Sequence, residues 1–231
     1  VNNEIGVIQP IKEIGELCRS HNIILHVDAA QALGKMDINL NDLNIDLLSL
    51  SAHKIYGPKG IGCLYINHPK MKNKISPTTF GGSQERALRP GTLSVSHIVG
   101  FGEACRISNK EISDDIRHVD SLTDTLYSQI ESSVDNINLN GPKKNRISGN
   151  LNITFKGLNN EPIIPKLRKL AISSGSACTS SSPEPSHVLE ALNINKKLIK
   201  STIRIGVGKF NTIEEIKFAG DYIARTINKL K

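Results

Sequence analysis

Apolar residues along this chain recur with two different periods, and the changes between them mark its elements. Ile11, Ile14, Leu17 and Cys18 fall on one face of a helix predicted over residues 10–21. Pro10 suits its first turn, where a missing N–H leaves no bond unmade. The apolar run Ile23-Ile24-Leu25-His26-Val27 predicts a short buried strand ending at Asp28, and a brief helical stretch is expected at residues 29–33. Leu47-Leu48-Ser49-Leu50-Ser51 and Cys63-Leu64-Tyr65-Ile66 predict two further strands. Strand, helix and strand at this spacing imply a sheet of parallel strands. Residues 67–92 are rich in Gly, Pro and Lys and read as one long loop, a length that usually signals function.

Helical spacing then returns. Ile112, Ile116, Val119, Leu122, Leu126, Ile130 and Val134 line one helix face, with Ser108 and Glu111 as a capping box at its start. Strands are predicted near residues 137–139, 151–155 and 202–205. A last helix is predicted from Thr212, capped by Glu215, to Leu230. The fold class is α/β, with a boundary near the start of the long helix. Residues 1–109 form an α/β domain and residues 110–231 an α+β domain.

Composition narrows the function classes. At 231 residues the chain can bury a sizeable core. It has no Trp and only 4% aromatic residues, which argues against stacking on nucleic-acid bases. The net charge of +7 is spread along the chain, with small clusters at residues 70–74 and 143–146, so no nucleic-acid partner is expected. No apolar run reaches the roughly 20 residues of a membrane span, and no signal peptide is seen, so neither membrane nor export is expected. Cys18, Cys63, Cys105 and Cys178 form no C-x-x-C pair, so no metal site is expected in the protein alone. Sparse cysteines fit a reducing compartment. Cys18, Cys63 and Cys105 sit in apolar sequence and read as core residues. The chain opens at Val1, and an N-terminal portion is expected to precede it.

Four positions carry candidate chemistry. Asp28 ends a strand, where ligands bind in α/β sheets, although an N-cap is an equally good reading. Lys54 follows the next strand in Ser51-Ala52-His53-Lys54. A lysine there is ordinarily a solvated surface residue, but in a dry or cationic pocket it becomes a nucleophile for aldehydes. Asp28 and Lys54 together offer pyridoxal phosphate an aldehyde partner and a counter-ion for its ring nitrogen, and Ser51 and His53 add donors for a phosphate. Cys178 lies in Ser173-Ser174-Gly175-Ser176-Ala177-Cys178-Thr179-Ser180-Ser181-Ser182, a stretch too polar to bury, so its thiol is expected to be exposed and reactive. Arg204, on a predicted strand, is either an exposed strand residue or a clamp for a substrate carboxylate.

The order of motifs adds a resemblance. Val1-Asn2-Asn3-Glu4-Ile5-Gly6, His26-Val27-Asp28-Ala29-Ala30-Gln31, residues 51–60 around His53-Lys54, Gly81-Gly82-Ser83-Gln84-Glu85-Arg86 with Arg89-Pro90-Gly91-Thr92, and Ser174-Gly175-Ser176-Ala177-Cys178 resemble the NifS/IscS family of cysteine desulfurases over nearly the whole chain. The resemblance implies a fold-type-I pyridoxal-phosphate transferase. Residues 1–109 would be the C-terminal part of its large cofactor-binding domain, and residues 110–231 its small domain with the cysteine loop. It implies that Lys54 holds the cofactor, Asp28 pairs with the ring nitrogen and Gln31 with the ring oxygen. Ser51 and His53 would bind the phosphate, and Thr92 the phosphate of a neighbouring subunit, which makes a homodimer. Asn3 would contact cofactor and substrate, and Arg204 would clamp the substrate carboxylate. Cys178 would take sulfur from L-cysteine as a persulfide, release L-alanine, and pass the sulfur to an iron–sulfur scaffold or another acceptor. A cluster in transfer would have Cys178 as a ligand.

The same resemblance implies a bacterial cytoplasm, or the mitochondrial matrix in a eukaryote, and a further N-terminal stretch with a histidine that stacks on the ring. Ser83, Pro162 and Pro165 depart from the family pattern. Selenocysteine lyase activity, or a catalytically incompetent fragment that only binds a partner or accepts a persulfide, are the alternative readings.

Overall fold

The computed structural model describes residues 1–71, 74–158, 162–174 and 186–231. The chain divides into two compact units, residues 10–112 and residues 1–9 with 113–231.

In the first unit, helix α1 (Ile11–Ser20) has Glu13 in its first turn and Arg19 in its last, charges that oppose the helix dipole at each end. Strand β1 (His26–Asp28) is shorter than its apolar run suggests: Ile23 and Ile24 are 53% and 46% exposed and pair with no strand among the described residues. It pairs in parallel with β2 (Leu47–Ser51), with His26 opposite Leu47 and Asp28 opposite Ser49. Strand β3 (Gly62–Ile66) pairs with β2 antiparallel, which corrects the all-parallel expectation. The reason is length: the connection from Ser51 to Gly62 is too short for the crossover of a dozen or more residues that parallel neighbours need. Gly62 is required where β3 begins, since a Cβ there would lie 2.5 Å from the Leu50 carbonyl oxygen.

Residues 29–33 form successive turns on the Ala29 carbonyl, which accepts from Ala32 and Leu33, rather than a helix. The predicted loop of residues 67–92 contains a short helix, α2 (His68–Met71), and a 3-10 turn at Glu85–Ala87. A small core of Ala52, Ile55 and Phe101, flanked by Leu33, Leu50, Ile61 and Ala104, packs behind the end of β2.

Helix α3 (Val95–Ser133) begins well before Ser108, so Ser108 and Glu111 lie inside a continuous helix and form no capping box at its start. Gly100, in the earlier turns, is a packing glycine: a Cβ there would lie 2.7 Å from Pro58 Cγ. The C-terminal half of α3 belongs to the second unit. Its Val119, Leu122, Leu126, Ile130 and Val134 join one buried cluster, as their spacing predicts. That cluster also takes Leu151, Ile153 and Phe155 from β5 (Asn150–Phe155) and Ile203 and Ile205 from β6 (Thr202–Gly206). It is completed by Ile216, Ile223 and Ile227 of the last helix. Strand β4 (Ile137–Leu139) pairs antiparallel with β5, and β5 antiparallel with β6. Each fully buried Leu or Ile here contributes about 1.5–3 kcal/mol relative to exposure.

A 3-10 turn at Ile164–Lys166 with Pro165 inside it, helix α4 (His187–Ala191) and helix α5 (Lys196–Ile199) precede β6. Helix α6 (Ile213–Leu230) starts on the predicted capping box, with Glu215 N–H donating to Thr212 Oγ1 and Thr212 N–H to Glu215 Oε2. Such a cap is worth about 1 kcal/mol.

The alternation in β5 and β6 leaves the opposite sheet face polar. Asn150, Asn152 and Thr154 lie on it beside Thr202 and Arg204. Residues 1–9 group with this unit, not with the first unit where the sequence reading puts them. Ile8 N–H bonds to Asn145, Ile147 N–H to Gly6, and the side chains of Asn150 and Asn152 donate to the Glu4 carbonyl.

Candidate functional site

In the first unit, parallel register places Asp28 and Ser49 side by side, and alternation carries His26 and Ser51 onto the same sheet face. The His26 imidazole Nε2 lies 2.8 Å from Ser49 Oγ. Asp28 closes β1; its Oδ1 accepts the Ala30 N–H at 2.9 Å, and the rest of the exposed carboxylate meets no partner among the described residues. Chain direction puts the C-terminal ends of β1 and β2 at one edge, where α/β sheets bind ligands.

Beyond Ser51 the chain turns at once. Residues Ala52–Ile55 form a 3-10 turn that ends on Tyr56 in the left-handed region at φ 63°. Ala52 and Ile55 are buried, which leaves His53 and Lys54 on the outer side of the turn. Ser51 Oγ lies 2.9 Å from His53 Nδ1, a hydroxyl–imidazole pair. The Lys54 ammonium makes no hydrogen bond or ion pair among the described residues. Gln31, just after Asp28, accepts the Lys35 ammonium on Oε1 at 3.1 Å. Thr92 is exposed and follows Gly91, whose N–H bonds to Gln84 Oε1.

This set fits a cofactor with an aldehyde, a basic ring nitrogen and a phosphate. An unpaired amine answers the aldehyde, a carboxylate with a free oxygen the ring nitrogen, and the hydroxyl–imidazole pair with the adjacent turn the phosphate. Among the described residues no group of His, Cys, Asp or Glu is placed to hold a metal ion.

Asn3 and Arg204 lie in the second unit. The Arg204 guanidinium sits on the polar face of β6 and donates to the Asn3 carbonyl oxygen at 2.9 Å. Cys178 lies outside the described residues. The segments that flank it are described: Ser173 forms a two-bond bridge with the Arg204 main chain, and Ser186 begins α4.

The other cysteines differ from the sequence expectation. Cys63 is exposed on β3, and Cys18 and Cys105 are half-buried, so none is a full core residue. Local desolvation still pushes the Cys63 thiol above its ordinary value, helped by the neighbouring Cys105, whose own thiol is pushed up by burial.

Glu4 was missed as a functional candidate. It is 1% exposed and accepts Ser186 Oγ on its carboxylate at 2.6 Å. An acidic residue between Asn3 and the apolar Ile5 was the available signal.

The aminotransferase class-V family matches residues 1–218. The protein named cysteine desulfurase IscS of Rickettsia prowazekii is 49% identical over all 231 residues of this chain, which spans 56% of that relative's length. A NifS-like protein from Rickettsia africae has a TM-score of 0.84 at 28% identity, with 100% of this chain and 59% of that one covered. The structure described as SspA in complex with cysteine gives 0.73 at 36% identity, over 92% of this chain and 58% of that one. No helix among the described residues is long and apolar enough to cross a membrane. With the fold and nearly the whole length in agreement, this chain belongs to the aminotransferase class-V family.

Proposed function

We propose that the whole protein to which this chain belongs is a pyridoxal-phosphate-dependent cysteine desulfurase. The observation that carries the reading is the Lys54 ammonium, unpaired among the described residues and set in the turn just past β2, the strand paired with the one that Asp28 closes. The likeness to the Rickettsia prowazekii cysteine desulfurase, and to a structure described as holding cysteine, supports L-cysteine as substrate.

When bound, pyridoxal phosphate supplies an electron sink for the substrate carbons. Lys54 holds it through its amine, Asp28 keeps the ring nitrogen protonated, and Gln31 orients the ring oxygen. Ser51 and His53 hold the phosphate. Arg204 grips the substrate carboxylate with its fork of donors, alongside Asn3. The Cys178 thiolate attacks the substrate sulfur. The new S–S bond forms as the Cβ–S bond breaks, the electron pair stays with the substrate carbon, and a proton there completes alanine. L-cysteine and the Cys178 thiol thus give L-alanine and a Cys178 persulfide, with no external oxidant.

Residues Leu93, Val95, Ile98 and Val99 are exposed and apolar next to Thr92, which supports a homodimer in which Thr92 reaches a neighbouring subunit's phosphate. Transfer onward to an iron–sulfur scaffold or another acceptor, in a reducing bacterial cytoplasm, completes the reading. The test is to incubate the full-length protein with L-cysteine and map the product by mass spectrometry. One added sulfur on the peptide containing Cys178, with equimolar alanine, is expected. Sulfur on Cys18, Cys63 or Cys105, or no alanine, overturns the proposal.

A further inference from the structure

The polar face of the second sheet ends in a carboxylate that the chemistry above does not use. Glu4 is 1% exposed, yet no cation pairs with it among the described residues. Burying a carboxylate is costly unless hydrogen bonds replace its water. The turn around it is firmly built: Asn2 Oδ1 accepts the N–H groups of Glu4 and Ile5, and the Glu4 carbonyl accepts from Asn150 and Asn152. The carboxylate itself takes the Ser186 hydroxyl at 2.6 Å, a short charge-assisted bond. Ser186 in turn caps α4, with its Oγ accepting the N–H of Leu189, and Leu189 is fully buried.

Ser186 is also the first described residue after Cys178. On the other side, Ser173 exchanges two main-chain bonds with Arg204, at 3.1 and 2.6 Å. The Arg204 side chain bonds to Asn3, the residue before Glu4. Both flanks of the stretch that contains Cys178 are therefore fastened to one hub of Asn3, Glu4 and Arg204, and that hub includes the proposed clamp for the substrate carboxylate.

We infer that Glu4 is a positioning residue, which through Ser186 fixes the C-terminal flank of the cysteine segment relative to Arg204 and so sets how fast sulfur reaches Cys178. The inference rests on the desulfurase reading. A buried carboxylate suits the task because its bond to Ser186 is stronger than a neutral acceptor's, and small misplacements of a reacting group are costly in rate.

The test uses the full-length protein loaded with cofactor, as wild type, Ser186→Ala, Ser186→Thr and Glu4→Gln. Two quantities are read: the cysteine concentration at the midpoint of the cofactor's absorbance change, and the single-turnover rate of sulfur appearing on Cys178. Ser186→Ala should slow the transfer about 10- to 100-fold with the midpoint unchanged. Ser186→Thr, which keeps the hydroxyl, should restore the rate, and Glu4→Gln, which keeps an acceptor without its charge, should fall between. In the absence of cofactor, amide exchange at Leu189 should quicken in Ser186→Ala. An unchanged transfer rate in Ser186→Ala, a midpoint that shifts along with the rate, or a Thr variant that restores nothing overturns the inference. Wild-type protein that places no sulfur on Cys178 overturns instead the desulfurase reading beneath it.

Discussion

Arg204 donates a 2.9 Å hydrogen bond from Nη1 to the main-chain oxygen of Asn3, a residue 201 positions earlier in the chain. Two residues to which the family resemblance gives substrate contacts are thus joined within one unit. The bond comes from a sheet face that is otherwise a row of Asn and Thr, so it orients the guanidinium without neutralising it. One donor goes to Asn3, and among the described residues the remaining edge of the fork meets no other partner, which leaves it for a carboxylate.

Replacing Arg204 by Lys should therefore damage substrate binding more than turnover. A lysine keeps the charge but cannot give two parallel bonds and hold Asn3 as well. In the full-length enzyme Arg204→Lys should raise KM for cysteine about 10-fold or more, with a smaller change in kcat. Steady-state kinetics decide it: an unchanged KM would remove Arg204 from the clamp role.

On the proposed desulfurase reading, Lys54 and Asp28 separate attachment from activation. Lys54→Ala should leave the full-length protein without the visible absorption of a covalently held cofactor. A bond still fixed by borohydride in that variant would place the attachment elsewhere. Asp28→Asn should keep the bond, since the amine is untouched. It should lower turnover about 100-fold or more, the scale of losing one electrostatic partner of the reacting group.

Much of this was legible in the sequence, for reasons that differ by element. The long α3 spacing from Val119 to Val134 and the alternation in β5 and β6 record burial directly, because each apolar residue in the pattern sits in one core. The Thr212–Glu215 cap was readable because it is made wholly within four residues. What failed was non-local. The direction of β3 depends on how long a connection must be, and the start of α3 at Val95 lies ahead of the apolar spacing that marks its later turns. The grouping of residues 1–9 depends on Asn150 and Asn152, more than 140 positions away. Candidate residues at strand ends were legible because topology fixes where strands end. Glu4 was not, because its partner Ser186 lies 182 residues on.

Cys63 gives a reactivity test that separates exposure from chemistry. It is exposed, yet desolvation of its thiol and the nearby Cys105 hold its pKa above the ordinary value, so little thiolate forms near neutrality. Alkylation of Cys63 should therefore be slow at neutral pH and should accelerate only as pH climbs past the usual thiol range. Cys178 should label faster. Peptide mapping after timed iodoacetamide treatment reads both, and faster labelling of Cys63 at neutral pH would refute the expectation.

Asp46 supplies a stability prediction with a defined pH sign. Its side chain is buried, with Oδ1 2.8 Å from the Lys70 ammonium and Oδ2 accepting the Leu25 N–H at 2.8 Å. Its own main chain exchanges further bonds with Leu25 and Asn67, so it ties together the start of β1, the start of β2 and the end of β3. Burial pushes the carboxyl up, but the Lys70 ammonium and the Leu25 N–H outweigh it and hold the group below its usual 3.8. The unfolded chain, at the ordinary value, then binds more protons than the folded one at acid pH. The contribution is complete above the unfolded value and is lost as pH falls through the lower folded one. Asp46→Asn keeps an acceptor for Leu25 but loses the ion pair with the partly exposed Lys70. At neutral pH it should cost about 1–2 kcal/mol. The gap to wild type should then close as pH falls below the ordinary 3.8 and through the lower folded value, where the wild-type carboxylate is itself being protonated. Urea unfolding of the full-length protein followed from neutral to acid pH would show this convergence. A gap that stays constant across that range would mean that the loss comes from packing, and that the Asp46–Lys70 charge pair contributes nothing to the fold.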